Sequence, residues 1–104
     1  MAAVDKSNTE WGILMGGTGT DATVVDSGRL KVKAIGFAGN ADNATCALTS
    51  LVGATQVSCA KFKTNGDDLD MSRNYIYFGE KGTYFTNLTA TLSHADDRLY
   101  IYLV

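Results

Sequence analysis

The residues best suited to do chemistry lie close together near the C-terminal end of the sequence. His94 is the only histidine, and Asp96 and Asp97 follow it within three positions. A histidine beside a carboxylate can orient a proton transfer or bind a metal. Catalysis also needs a nucleophile and a charge-stabilising group in the same cleft, and no glycine-flanked serine accompanies this segment. The sequence therefore predicts a polar turn here, and we expect no enzyme activity.

Two further segments contain ligand-binding residue types without the rest of a site. The stretch Gly16 to Thr20 could cradle a phosphate, but a nucleotide-binding loop also needs a following helix and a lysine. Asp67, Asp68 and Asp70 could supply oxygen ligands to Ca²⁺, but they lack the alternation and the distal glutamate of an EF-hand loop. A hairpin loop and a solvated surface loop are predicted instead, with no cofactor and no metal.

The two cysteines lie on the two arms of a predicted hairpin. Cys46 shares a strand face with Leu48, whereas Cys59 shares a face with Val57 and Lys61. A two-cysteine chain without an apolar secretory segment is typical of a reducing compartment. Two free thiols are therefore predicted, and no further ligands accompany them at the spacing of a zinc site.

The composition indicates one folded domain and excludes several classes of partner. The chain has 104 residues, of which 45% are hydrophobic and 19% charged, with a formal net charge of -2. Its lysines and arginines are spread along the sequence without a basic run, so we expect no nucleic-acid partner. Its apolar runs are far shorter than the roughly 20 residues that cross a bilayer, so we expect no membrane span.

Short segments with a period of two, typical of β-strands, alternate with glycine or polar turns. The clearest alternation is Leu88 to Ser93, and in Leu30 to Phe37 a change of phase predicts a β-bulge beside Gly36. No window of eleven residues has helical spacing, although Thr64 to Ser72 could form one short helical turn. The predicted strands are Gly12 to Met15, Ala22 to Val25, Leu30 to Phe37, Asn43 to Leu51, Thr55 to Lys63, Tyr75 to Gly79, Thr83 to Ser93 and Leu99 to Val104.

These strands predict an all-β fold, an antiparallel β-sandwich of about seven or eight short strands. Jelly-roll and Ig-like topologies both fit the strand spacing, and a small closed barrel is the structural alternative. Residues 11–104 are predicted to form the single domain. The polar residues 1–10 are predicted to form an extended N-terminal arm.

Two segments in the C-terminal third are apolar or aromatic at consecutive positions, Tyr75 to Phe78 and Leu99 to Val104. Both faces of such strands need cover, and the core of one small domain covers only one of them. A neighbouring strand or loop covers the second face, or a second protein does. Tyrosine suits a wet protein interface because its ring is apolar and its hydroxyl forms hydrogen bonds. The candidate interface residues are Tyr75, Tyr77, Phe78, Tyr100, Tyr102 and Val104.

Two longer runs of the sequence are GRLKVKAIGFAGNADNATCALTSL and NYIYFGEKGTYFTNLTATLSHADDRLYIYLV. Together they resemble the small β-sandwich virion proteins of tailed bacteriophages. In that family a strand ending in a glycine-containing step precedes a threonine-rich hairpin, an aromatic strand and a terminal strand pair. The corresponding segments here are Lys31 to Gly39, Asn43 to Lys63, Tyr75 to Gly79 and Leu88 to Val104.

This resemblance implies a structural role without catalytic residues. It implies a head decoration or cement protein that is made in the host cytoplasm and lies on the capsid surface of the virion. Such a protein stabilises the phage head by contacts with the major capsid protein and with its own copies, commonly as a homotrimer. The alternative is a carbohydrate- or receptor-binding module of a phage tail, marked by exposed aromatic residues grouped beside carboxylates or amides. A small hydrolase using His94 is the third interpretation.

Overall fold

The computed structural model describes residues 4–16, 19–39, 44–63, 75–94 and 96–104, and within them it contains strands and no helix. The predicted all-β class and the predicted number of strands are confirmed. The predicted helical turn at Thr64 to Ser72 and the acidic loop at residues 67–70 lie outside the described residues. The strands are β1 (Asp5–Asn8), β2 (Gly12–Gly16), β3 (Thr23–Ala38), β4 (Thr45–Val52), β5 (Thr55–Lys63), β6 (Tyr75–Tyr77), β7 (Thr83–Leu92) and β8 (Arg98–Leu103).

All eight strands belong to one antiparallel sheet with the order β1-β2-β8-β3-β7-β4-β5, and β6 also pairs with β3. The long strand β3 joins the two halves of this sheet. From Thr23 to Val32 it pairs with β7, and from Val32 to Ala38 it pairs with β8 on its other side. The division into the two separate sheets of a sandwich is therefore not confirmed, because β3 forms hydrogen bonds in both halves.

The sheet folds around a core formed by the inner faces of its two halves. Ile13, Ile101 and Ile35 are register neighbours across β2, β8 and β3, and all three are buried. The rings of Phe37 and Phe62 stack with their centroids 6.1 Å apart, which brings the end of β3 against β5. The two halves thus face each other across one hydrophobic core, as the layers of a small β-domain do.

The buried residues of β3 change phase near the middle of the strand. Val32 and Ile35 are both fully buried, and the register with β8 shifts between Val32 and Ala34. The carbonyl oxygen of Lys33 accepts a hydrogen bond of 2.8 Å from the backbone N–H of Phe78. Phe78 lies between β6 and β7, the two strands that pair with β3 on this side. The predicted bulge is present, but it lies at Lys33 rather than beside Gly36, because the interruption of the partner strand determines its position.

Residues 5–8 form an edge strand of this chain's own sheet, within the segment that was predicted as an extended arm. β1 pairs with β2 from Asp5 opposite Gly16 to Asn8 opposite Ile13. All four of its side chains are exposed. It therefore lacks the alternation that identifies a half-buried strand, and this is why the sequence pattern did not indicate it.

The hairpin between β4 and β5 forms where the sequence predicts it. Val52 pairs with Thr55, so that Gly53 and Ala54 make a two-residue loop. Gly53 has a φ of 63°, in the left-handed region that glycine adopts at low cost.

Candidate interaction surface

The outer face of the sheet bears tyrosines over the same strands whose inner face lines the core. Ala34 and Gly36 of β3 each lie in register between one tyrosine of β6 and one tyrosine of β8. Successive side chains of a strand point to opposite faces, so these tyrosines point away from the buried isoleucines. The small side chains at the centre leave room for rings to lie over β3. The tyrosines are Tyr75 and Tyr77 of β6 and Tyr100 and Tyr102 of β8.

Trp11, just before β2, joins three of these tyrosines in one group of packed rings. The Trp11 ring centroid lies 4.9 Å from that of Tyr102 and 5.9 Å from that of Tyr100, and the Tyr75 and Tyr102 centroids are 6.3 Å apart. These separations are typical of aromatic pairs that attract each other. We call Trp11, Tyr75, Tyr100 and Tyr102 the aromatic cluster, and Tyr77 lies on the same face beside it.

The aromatic cluster is packed but remains open to solvent. The exposed fraction is 37% for Trp11, 48% for Tyr75 and 53% for the adjacent Tyr77. A contiguous exposed apolar patch is a common mark of an interaction site on a small protein. Rings that already pack against each other also lose little conformational freedom on binding, which favours affinity.

The phenol groups of the cluster affect one another electrostatically. Burial raises the pKa of Tyr102 above its ordinary value of 10.0, and the neighbouring phenols of Tyr75 and Tyr100 raise it further. At neutral pH the Tyr102 hydroxyl is therefore protonated and can both donate and accept hydrogen bonds. The cluster presents apolar ring faces together with neutral polar groups, a combination typical of wet interfaces.

A polar cleft of about 190 Å³ adjoins the cluster on the β1, β2 and β8 side. It contains a carboxylate, a hydroxyl and a guanidinium group. The guanidinium of Arg98 is held by hydrogen bonds of 3.1 Å from Nη1 to the carbonyl oxygens of Asp96 and Asp97. Tyr100 follows Arg98 by two residues and therefore lies on the same face of β8. The cleft is lined by Asp5, Ser7, Leu14, Gly16 and Arg98.

Comparison with protein-family models, curated proteins and solved structures finds no match for this chain. A role for the aromatic cluster must therefore be inferred from its geometry. Within the described ranges, no group of three or more His, Cys, Asp or Glu side chains is placed to hold a metal ion. The described part of the chain also contains no helix long and apolar enough to cross a membrane.

One of the remaining predicted interface residues, Phe78, lies away from the aromatic cluster, whereas Val104 lines a pocket together with Trp11. Phe78 is half-buried and packs against the core, where its ring meets that of Phe85 at 5.5 Å in a T-shaped pair. Val104 is exposed, but it follows the end of β8, where its backbone N–H donates to the carbonyl oxygen of Lys31 at 3.4 Å. Tyr75 and Tyr77 are exposed and Ile76 packs against the core, so the same alternation points the Phe78 side chain inward.

Trp11 belongs to the cluster although it was not among the predicted interface residues. Its carbonyl oxygen accepts a hydrogen bond of 3.0 Å from the backbone N–H of Leu103, which fixes it beside β8. Two features of the sequence could have identified Trp11 as an interface residue: it is the only tryptophan, and it immediately precedes a predicted strand. The pairing of β2 with β8, which brings it to the tyrosines, joins chain segments too distant in sequence for a local pattern to reveal.

The residues around His94 form a tightly hydrogen-bonded turn between β7 and β8. The Oγ atom of Ser93 lies 2.7 Å from Nδ1 of His94, and Asp97 Oδ2 lies 3.9 Å from the same nitrogen. In a Ser-His-Asp triad the serine and the carboxylate bind different nitrogens of the imidazole, which lies between them. Here both groups face Nδ1, and the Asp97 carboxylate also accepts the backbone N–H of His94 at 3.1 Å. This geometry is that of a capped turn, as the sequence predicts.

Both cysteines are free thiols, as predicted. Cys46 is buried in the core, and Cys59 is the extra residue where the β4–β5 register shifts between Leu48 and Thr49. Burial raises the pKa of Cys46 to about 12, and the Asp97 carboxylate and Cys59 contribute to the rise. Burial also raises the pKa of Cys59, against a smaller opposing effect of a backbone hydrogen bond.

We expect the Cys46 thiol to make stability depend on pH in the alkaline range. The folded state holds this proton more tightly than the unfolded state, so the contribution is complete below the ordinary value of 9.0 and is lost as the pH rises toward about 12. Urea unfolding between pH 8 and 11 should show a steeper loss of stability in the wild type than in Cys46→Ala. Parallel curves for the two proteins would contradict the burial of this thiol.

Proposed function

We propose that this protein is a non-enzymatic virion structural protein that decorates a phage head and stabilises it. On this proposal, the aromatic cluster binds the major capsid protein, and copies of the chain associate as a homotrimer. The sequence resemblance supplies the virion context. The observation that supports a binding role most directly is the packed group of rings at Trp11, Tyr75, Tyr100 and Tyr102, in which Trp11 and Tyr75 are exposed and Tyr100 and Tyr102 are half-buried.

The physical basis of the proposal is the apolar area that the cluster leaves in water. Burial of apolar surface contributes about 25 cal/mol per Å², less the cost of ordering the partners. Tryptophan and tyrosine are the residue types that most often dominate the energy of protein interfaces. The cluster lies on paired strands and its rings support one another, so it forms a rigid surface on which another protein can pack.

Removing two exposed rings of the cluster should strongly weaken binding to capsid shells. We expect Trp11→Ser combined with Tyr75→Ser to raise the Kd by at least about 30-fold, the equivalent of one interface residue worth about 2 kcal/mol. Both side chains are partly exposed, so the fold should persist. Binding is measured by co-sedimentation with shells of the encoding virus that lack this protein.

The matched control is Val57→Ser, which removes an exposed apolar side chain from β5, far along the sheet order from β8. Its Kd should equal that of the wild type within a factor of two. A wild-type protein that is monomeric by light scattering and does not sediment with shells would overturn the proposal. Equal binding by the wild type and the double variant would show that another surface makes the contact.

A specific observation also favours a second function, binding to carbohydrate. This alternative requires exposed aromatic residues beside carboxylates or amides, and Asp5 lines the polar cleft that adjoins Tyr100. Aromatic faces with a few fixed polar groups are common in small-molecule sites. A glycan array decides between the two functions: binding that Trp11→Ser abolishes would favour carbohydrate, whereas an array without signal would remove it.

A further inference from the structure

A pair of basic residues lies on the outward side of the first part of β3, over one tyrosine of β7. The guanidinium carbon of Arg29 is 3.8 Å from the ring centroid of Tyr84, and the Lys31 ammonium is 5.4 Å from the same centroid. Lys31 and Tyr84 are register partners across β3 and β7. We call Arg29 and Lys31 the basic pair.

Within the part of the chain that the structure describes, no carboxylate lies within ion-pair distance of Arg29 or Lys31. Like charges held close on one strand face repel each other. Here the Tyr84 ring is the aromatic partner of both cations. An arrangement that concentrates positive charge without a carboxylate is suited to an anion supplied from outside.

The stacking of Arg29 also leaves its hydrogen-bonding groups available. A guanidinium that lies over a ring uses its flat face, whereas its N–H groups point outward in its own plane. Those N–H groups match the two oxygens of a carboxylate, and the ring reduces the freedom that the side chain loses on binding. The Lys31 ammonium beside it can bind a second anionic oxygen.

The observations favour protein carboxylates over the phosphates of a nucleic acid. Single-stranded nucleic acids bind by stacking bases on free aromatic faces and by several phosphate contacts. The Tyr84 ring is already covered by Arg29, and the rings of the aromatic cluster pack against one another. An acidic patch on a protein needs only local positive charge.

We infer that the basic pair binds Asp or Glu side chains on the same protein that covers the aromatic cluster, and this inference rests on the proposed function. β3 connects the two surfaces, because it carries Arg29 and Lys31 in its first part and Ala34 and Gly36, beneath the tyrosines, in its second. The aromatic cluster then supplies most of the affinity. The basic pair selects an acidic partner and fixes its orientation on the sheet.

The first experiment measures binding to capsid shells at several salt concentrations. We expect Arg29→Gln with Lys31→Gln to raise the Kd about tenfold at low salt and to flatten its dependence on salt. The matched control, Lys61→Gln with Lys63→Gln, removes the same charge from exposed positions of β5 and should leave both quantities unchanged. Equal effects of the two double variants would overturn the inference. A wild type that does not bind shells would instead overturn the proposed function.

The second experiment does not depend on shells. A fluorescein-labelled peptide of 20 glutamates and an oligonucleotide of 20 deoxythymidines are compared by fluorescence anisotropy, with both probe lengths set at about 20 units to match their charge. The wild type and the β5 control should bind the peptide at low salt. The basic-pair variant should bind it at least about tenfold more weakly, the scale of one hydrogen bond to a charged group. Tighter binding of the oligonucleotide than of the peptide, or a variant with wild-type affinity, would overturn the inference.

Discussion

Replacing Gly12 with alanine is expected to lower the free energy of unfolding by about 3 kcal/mol or more, at the upper end of the range for overpacking. A β-methyl at this position would overlap the carbonyl oxygen of Ile101 and come within 3.1 Å of the backbone N of Leu103. Both are backbone atoms of the paired strand β8, so no side-chain rotation relieves the overlap. β2 must move away from β8, which carries Ile13 out of its packed row.

Two other glycines provide matched controls for this variant. Gly28 has only a contact of 3.4 Å from the position of an added methyl to Asp26 Oδ1, and Gly28→Ala should change stability by less than about 0.5 kcal/mol. Gly53→Ala meets no atom, but its φ of 63° should cost about 1 kcal/mol. Urea unfolding followed by fluorescence ranks the three variants. If Gly12→Ala is as stable as Gly28→Ala, β2 and β8 do not approach as closely as the structure has them.

The strands that could be predicted from sequence are those with one buried face. Leu88 and Leu92 alternate with polar residues, and the structure has them on the inner face of β7. The hairpin at Gly53 follows from local turn chemistry in the same way. β1 has four exposed side chains, and residues 26–29, between the predicted strands Ala22 to Val25 and Leu30 to Phe37, are polar or glycine although they belong to β3. In both places backbone pairing with a distant strand overrides a local pattern that predicts no strand.

The candidate site could be predicted only in part for a similar reason. The tyrosines at positions 75, 77, 100 and 102 were identified because their strands are apolar on both faces. The register of β6 and β8 on β3 decides whether these tyrosines come together. Gly36 of β3 pairs with Tyr75 of β6 on one side and with Tyr100 of β8 on the other. The stacking of Arg29 on Tyr84 likewise joins residues that are 55 positions apart. The sequence has no local alternation of basic and aromatic residues. It therefore gives no sign that the fold brings such residues together on one surface.

The turn that precedes β8 should depend on Asp97 more than on any other polar residue of that segment. Its side chain is fully buried, and Oδ2 accepts hydrogen bonds from the backbone N–H of His94 at 3.1 Å and from Ser93 Oγ at 3.3 Å. Ser93 Oγ also accepts the backbone N–H of Thr45 at 2.7 Å, which connects this turn to the start of β4. The carboxylate therefore stabilises the junction of β4, β7 and β8.

Replacing Asp97 with alanine is expected to lower the free energy of unfolding by about 3 kcal/mol, because it removes the fully buried acceptor of the hydrogen bonds from the His94 N–H and the Ser93 hydroxyl. Asp97→Asn keeps the shape and one acceptor oxygen but buries two amide N–H donors, so we expect an intermediate loss of about 1–2 kcal/mol. Asp96→Ala removes an exposed carboxylate one residue away and should stay within about 0.5 kcal/mol of the wild type. Thermal unfolding followed by circular dichroism tests this order. Equal midpoints for Asp96→Ala and Asp97→Ala would show that the buried carboxylate does not hold the turn, and the β4–β7–β8 junction would then have to be stabilised by its apolar contacts alone.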